Sequence, residues 1–177
     1  MSLLEIKDLE FSYANKNKPV LRIPLLEVQK GEKIFLFGPS GSGKTTLLEI
    51  LAGVLVPQKG TVKVAGTDLV GLSGAARDRF RREKMGYIFQ NFNLIPYLSV
   101  AENILLPLQL QKNKKNNDQL SELTNALGIS QLLNSPVTEI SMGQQQRVAV
   151  ARALLGSPEL LLADEPWPRP LFAAGPC

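Results

Sequence analysis

The chain has 177 residues with 44% hydrophobic and 20% charged side chains and a net charge of +4, which is ordinary for a globular protein with a sizeable core. No apolar run approaches the roughly 20 residues of a membrane span, and the N-terminus lacks a signal-peptide profile, so a cytoplasmic location is expected. A single cysteine, Cys177, excludes an internal disulfide, and the sequence contains no histidine.

The first predicted elements are mainly strands. Residues 4–13 and 20–28 are β-rich and are separated by a polar turn. Residues 33–37 form a short apolar run that is typical of a buried parallel strand. Residues 46–52 follow as a helix that ends at Gly53.

The later elements become mainly helical after Gln90. The pattern predicts strands at residues 60–66, 85–89 and 160–163, the last two buried, and helices at residues 75–84, 100–110, 116–127 and 143–155. The last of these helices places Val148, Ala151 and Leu155 on one face.

Basic side chains cluster at residues 77–84 and 112–115. A nucleic-acid surface is one interpretation. However, Asp78 and Glu83 reduce the positive charge of the first cluster, and aromatic residues do not alternate regularly with the basic residues. We favour a solvated helix face followed by a polar loop, and nucleic acid is not expected as a partner.

Residues 38–45 match the pattern Gly, four residues, Gly-Lys-Ser/Thr without a mismatch. The glycines let the backbone turn its N–H groups toward phosphate oxygens, and the helix that follows offers its positive end to the same anion. Lys44 is placed to reach the β- and γ-phosphates, and the Thr45 hydroxyl is placed to bind Mg²⁺. A turn without a ligand is the plain alternative. The predicted nucleoside triphosphate site comprises Gly38, Pro39, Ser40, Gly41, Ser42, Gly43, Lys44, Thr45 and Thr46.

Two acids, Asp164 and Glu165, follow the last predicted strand. An apolar strand carries them to the carboxyl edge of a parallel sheet, where ligands bind. Asp164 can then hold Mg²⁺, as a Walker B aspartate does, and Glu165 is placed to orient and activate an attacking water.

The stretch Ile-Ser-Met-Gly-Gln-Gln-Gln-Arg at residues 140–147 resembles the signature motif of ABC-transporter ATPases. In that family the signature of one subunit closes over ATP held by the other. The resemblance implies this role for Ser141, the Gly143 backbone and Gln144, at a helix N-terminus. The family usually has leucine and glycine at Ile140 and Met142, and a β-carbon at Met142 could crowd the backbone near phosphate. A serine-capped helix would account for Ser141 alone, but not for the order of the motifs.

Two further matches extend the resemblance. Gln90 resembles the Q-loop glutamine that touches Mg²⁺ and senses the transmembrane partner. Tyr13 resembles the aromatic residue that stacks on adenine, with a core tyrosine as the alternative. Residues 86–96 are similar to the group that serves macrolide and lipoprotein exporters, and the whole resemblance runs from about residue 3 to residue 166.

The resemblance implies an α/β fold, with a P-loop ABC ATPase domain at residues 1–166, an N-terminal antiparallel β portion and a helical insertion at about residues 91–155. The implied function is the ATP-binding and ATP-hydrolysing subunit of an ABC transporter. Its implied partners are a second copy or a second ABC ATPase subunit and a transmembrane permease, which would hold it on the inner face of the cell membrane. ATP and Mg²⁺ are the implied cofactors. Catalysis would rest on Lys44 and Glu165, and Mg²⁺ on Thr45, Gln90 and Asp164.

The resemblance stops after Pro166, and a proline-rich tail follows at residues 167–177. The family continues with a strand that ends in a switch histidine and lies between the P-loop strand and the Walker B strand. The C-terminal part of the core is therefore expected to be missing, with poor stability and weak or absent ATPase activity. A truncated, non-hydrolysing nucleotide-binding remnant is the alternative function. The helical insertion argues against a P-loop kinase, and the lack of heptads and cysteines there argues against a DNA-repair ATPase.

Overall fold

A computed structural model of the chain describes residues 2–14, 18–110 and 117–164. The second basic cluster, Glu165 and the tail at residues 167–177 lie outside these described residues. The described α-helices and strands are, in chain order, β1 (Ser2–Phe11), β2 (Leu21–Gln29), α1 (Lys44–Leu51), β3 (Lys59–Val64), β4 (Thr67–Asp68), α2 (Gly74–Lys84), β5 (Met85–Ile88), α3 (Val100–Leu110), α4 (Asn117–Ala126), α5 (Met142–Leu154) and β6 (Leu160–Ala163); a short 3-10 helix, Ser130–Leu132, lies between α4 and α5.

The chain forms two compact units. Among the described residues, the first comprises residues 2–86 with Pro158–Leu162, and the second comprises Tyr87–Ser157 with residues 163–164. No helix in the described part of the chain combines the length and the apolar character needed to cross a bilayer.

The first unit is built on an antiparallel sheet with the strand order β2-β1-β3-β4, which confirms the predicted N-terminal β portion. Ile6 and Leu9 of β1 are both buried, although their odd spacing would place them on opposite faces of a regular strand. A bulge at Asp8, whose φ is 49°, corrects the alternation. Gly60 lies against this bulge, because a β-carbon there would lie 2.4 Å from the Lys7 carbonyl oxygen.

The outer side of this sheet carries charged side chains in exposed pairs. Glu5 lies 2.9 Å from Lys7, and Glu10 lies 2.8 Å from Lys59 and 3.0 Å from Arg22. Each carboxylate pairs with a cation, which lowers the pKa of Glu5 and of Glu10. Such pairs are screened by water and keep the sheet face soluble more than they stabilise it.

The prediction of a buried strand at residues 33–37 was wrong. This stretch does not belong to a strand, and Phe35 and Phe37 are 76% and 92% exposed. An apolar run becomes a buried strand only when other strands and helices cover it. In the described part of the chain, no strand pairs with these residues.

The strands β5 and β6 form a separate two-stranded sheet. The predicted spans were nearly right, and the predicted burial holds in part: Ile88 and Leu162 are buried, whereas Phe89 and Leu161 are exposed. The basic helix α2 buries none of its side chains. Arg81 donates to the Ala52 carbonyl at 3.0 Å and Lys84 pairs with Glu159 at 2.6 Å, so part of its charge serves internal contacts.

The core of the second unit lies where α3 packs against α5. The predicted face with Val148, Ala151 and Leu155 is buried, as expected from its helical spacing. The α3 side of the same core comprises Val100, Ile104, Leu105 and Leu108.

Candidate nucleotide-binding site

The glycine-rich loop turns directly into α1. Gly41 and Gly43 have φ values of 79° and 93°, a left-handed conformation that glycine adopts without steric cost. Gly43 is the N-cap of α1 and makes no side-chain cap bond. A β-carbon there would also lie 2.7 Å from Leu21 Cδ2. The sequence therefore leaves the positive end of α1 open toward an anion.

The Lys44 side chain folds back over the loop that precedes it. Its Nζ donates to the carbonyl oxygens of Gly38 at 3.0 Å and of Pro39 at 3.2 Å. The Ser42 amide also donates to the Pro39 carbonyl at 3.3 Å, which closes the turn. The ammonium charge and the start of α1 thus meet at one short loop, as phosphate binding requires.

Tyr13 lies beside the same helix start. Its hydroxyl is 3.0 Å from Thr46 Oγ1, and its ring meets the Phe11 ring edge-on at 5.0 Å. The Tyr13 side chain is 40% exposed, so it is not a core tyrosine. The structure thereby brings the predicted stacking residue next to the predicted phosphate loop within the first unit.

The second group of predicted residues starts α5. The Ser141 hydroxyl accepts from the Gln144 amide at 3.3 Å, and Gln144 Oε1 accepts from the Ser141 amide at 2.8 Å. This reciprocal capping box was visible in the sequence as Ser-x-x-Gln, but only its serine half was recognised. Met142 is 77% exposed, and a β-carbon at Gly143 would meet nothing within 4 Å.

Removal of this cap has a measurable expected cost. Ser141→Ala is expected to lower the free energy of unfolding by about 1 kcal/mol, because α5 buries Val148, Ala149 and Ala151 and its fraying loosens the core. Ser73→Ala is the matched control: it removes the corresponding cap of α2, which buries nothing. Urea denaturation of both variants measures the difference, and equal losses would contradict this coupling of the cap to the core.

Gln90 and Asp164 follow the ends of two paired strands. The Glu159 amide donates to the Lys84 carbonyl at 2.9 Å, and the Asp164 amide donates to the Ile88 carbonyl at 3.0 Å. These bonds advance in the same direction along both strands, so the pairing is parallel, and Gln90 and Asp164 lie beyond its carboxyl edge. In the part of the chain that the structure describes, no group of three His, Cys, Asp or Glu side chains forms a metal cluster.

The predicted residues fall into two groups. The loop at residues 38–45 and Tyr13 belong to the first unit, whereas Gln90, Ser141 and Asp164 belong to the second. Glu165, the predicted water-activating residue, lies outside the described residues.

Asn103 is a structural residue of this region that the sequence analysis missed. It is fully buried, and its Oδ1 accepts from the Ile95 amide at 2.7 Å. Its Nδ2 donates to the carbonyl oxygens of Ile95, Leu98 and Ser99 at 3.0–3.2 Å. The available signal was a polar residue on the apolar face of a predicted helix.

Comparisons with known proteins agree with the predicted fold class. A family model described as "ABC transporter" matches residues 21–168. The chain is 42% identical over 169 residues to the lipoprotein-releasing system ATP-binding protein LolD 1 of Rhodopirellula baltica, covering 93% of this chain and 73% of that protein. It is 40% identical over 172 residues to the macrolide export ATP-binding/permease protein MacB of Syntrophobacter fumaroxidans, covering 94% of this chain.

Two solved structures of the bacterial ABC transporter cassette MJ0796 are similar, a dimer and a dimeric post-hydrolysis state bound to ADP and Pi. Each superposes with a TM-score of 0.82 at 33% identity, over 92% of this chain and 74% of that chain. The chain spans 24% of the length of MacB and about three quarters of the length of LolD 1. Because the family match covers most of its residues and the fold agrees, this chain belongs to the ABC transporter family.

Proposed function

We propose that this chain is the ATP-binding and ATP-hydrolysing part of an ABC exporter. The observation that carries the proposal is the phosphate loop, in which Lys44 Nζ lies 3.0 Å from the Gly38 carbonyl at the open start of α1. A cation and a helix N-terminus at one glycine-rich turn form a site for a chain of phosphates. The adjacent Tyr13 ring offers an apolar surface to the adenine base.

The residues proposed for Mg²⁺ fit that ion by their chemistry. Each carries an oxygen donor of the hard type that Mg²⁺ prefers: Thr45 of the first unit a hydroxyl, and Gln90 and Asp164 of the second unit an amide carbonyl and a carboxylate. Bound Mg²⁺ would neutralise charge on the phosphate oxygens. Lys44 would stabilise the same charge as it develops on the γ-phosphate. Glu165 would accept a proton from, and orient, the attacking water.

We propose a dimer as the working form. MJ0796 is a dimer in its solved structures. In our chain, the residues that resemble the signature motif start α5, which has a capping box formed by Ser141 and Gln144. Ser141, Met142, Gly143 and Gln144 of one copy would contact the ATP held by its partner. The similarity to proteins named for macrolide export and lipoprotein release supports an exporter permease as the membrane partner.

A second candidate function is nucleotide binding without hydrolysis. It is favoured by the exposed residues 33–37, which lead directly into the phosphate loop and pair with no strand in the described part of the chain. A phosphate loop whose preceding residues are not packed in a sheet still binds phosphate. It orients a reacting γ-phosphate less well, because its own position is less fixed.

Parallel measurements of ATP binding and phosphate release separate the two candidates. The proposal expects Mg²⁺-dependent phosphate release by the purified chain, at least about 100-fold slower for Glu165→Gln because the water loses its base, while ATP still binds. Glu159→Gln is a matched control outside the site, since that carboxylate pairs with Lys84. ATP binding without any release supports the second candidate, and no binding of ATP refutes both.

A further inference from the structure

The chain adopts a strained conformation just after Gln90. Phe92 and Asn93 have φ values of 56° and 47°, two consecutive left-handed residues without a glycine. Asparagine tolerates this region, but phenylalanine adopts it only when its surroundings impose it. The Phe92 amide donates to the Phe89 carbonyl at 3.0 Å, which closes the turn tightly behind Gln90.

Arg152 of α5 binds the two strained residues directly. Its Nη1 donates to the Asn93 carbonyl at 2.7 Å and its Nη2 donates to the Phe92 carbonyl at 2.5 Å. The planar guanidinium fork suits two adjacent carbonyl oxygens, and lysine cannot reproduce that geometry. The contact joins the helix that Ser141 starts to the segment that Gln90 begins.

The surroundings of Arg152 are unusual for a charge. Ala151 and Ala153 on either side of it are buried, and burial lowers the pKa of the Arg152 guanidinium. No carboxylate in the described residues forms an ion pair with it. Burial of a cation costs free energy, and the hydrogen bonds from Arg152 to the carbonyl oxygens of Phe92 and Asn93 offset part of that cost.

We propose that Arg152 is a positioning residue that sets the conformation of residues 90–94 and thereby links the signature helix α5 to Gln90. Asn103 of α3 holds the following stretch at Ile95, Leu98 and Ser99, so the two side chains fix successive parts of one segment. The role of Gln90 rests on the proposed function, but the positioning by Arg152 does not.

Hydrogen–deuterium exchange of the full chain tests the positioning. Arg152→Ala is expected to speed exchange of the amides at residues 91–95 by about tenfold or more, with α3 and the four-stranded sheet unchanged. Arg152→Lys is expected to give an intermediate effect. The matched control is Arg147→Ala, which removes one 3.3 Å bond from the same helix to the Leu127 carbonyl and should leave residues 91–95 unchanged. Unchanged exchange in Arg152→Ala, or a uniform rise over the chain, would overturn the proposal.

Steady-state kinetics test the link to Gln90. Arg152→Ala is expected to lower kcat for ATP by about tenfold with KM within about twofold, and Arg152→Lys to recover part of kcat. A kcat of Arg152→Ala equal to that of the wild-type chain would overturn the proposed link between Arg152 and Gln90. If the wild-type chain releases no phosphate, the proposed hydrolysis fails, whereas the exchange result still decides the positioning by Arg152.

Discussion

Lys44→Ala is expected to weaken ATP binding by about 100-fold. Lys44 Nζ lies 3.0 Å and 3.2 Å from two carbonyl oxygens of the loop, close enough to transfer its hydrogen bonds to phosphate oxygens. Hydrogen bonds that involve a charged group contribute about 1.5–3 kcal/mol each. Loss of one such bond to a phosphate oxygen, about 2.7 kcal/mol, corresponds to two factors of ten in the dissociation constant. Titration with a fluorescent ATP analogue measures the change.

Lys59→Ala provides the matched control for this loss of charge. Lys59 belongs to β3 and pairs with Glu10 at 2.8 Å on the exposed sheet face, so its removal changes net charge equally. Its dissociation constant for ATP is expected to stay within about twofold of the wild-type value, because exposed charges are screened over about 8–10 Å. A Lys44→Ala variant that binds ATP as tightly as Lys59→Ala would exclude the proposed phosphate site.

The helices and the glycine-rich turn before α1 were predictable because their signals are local. The spacing of Val148, Ala151 and Leu155 defines one face of α5 whatever lies beside it, and that face is buried. Gly43 precedes Lys44 by one residue, and its φ of 93° follows from the turn that the motif requires. The serine at the start of α5 likewise predicted a helix N-terminus.

Features that depend on distant residues could not be predicted. The burial predicted for residues 33–37 needed neighbouring strands, which the apolar pattern of that stretch does not reveal. The Arg152 guanidinium donates to the carbonyl oxygens of Asn93 and Phe92, which lie 59 and 60 residues away in the sequence. No sequence pattern identifies these two carbonyls as its acceptors. Asn103 was visible as a polar residue, but its bonds depend on the fold of the segment before it.

A double substitution, Phe35→Ser with Phe37→Ser, is expected to suppress self-association of the purified chain in the absence of ATP, where the proposed ATP-dependent dimer does not form. The two rings are 76% and 92% exposed, and they lie 6.4 Å apart on a stretch outside any described strand. Such a stretch offers both apolar surface and backbone groups to another chain. Burial of a phenylalanine contributes about 1.5–3 kcal/mol. Loss of both rings should therefore weaken association by about 100-fold or more, as measured by analytical ultracentrifugation.

Leu25→Ser tests whether exposure alone explains that effect. Leu25 is 59% exposed, but it lies on β2, whose backbone pairs with β1 at Lys7. A single apolar side chain on a paired strand is ordinary surface, so its removal is expected to change the association constant by less than about threefold. Binding of an apolar dye should fall in the double variant and stay constant in Leu25→Ser, because only the first removes a contiguous patch. If both variants associate like the wild-type chain, residues 33–37 are not the contact, and an unpaired apolar stretch beside the phosphate loop no longer accounts for self-association.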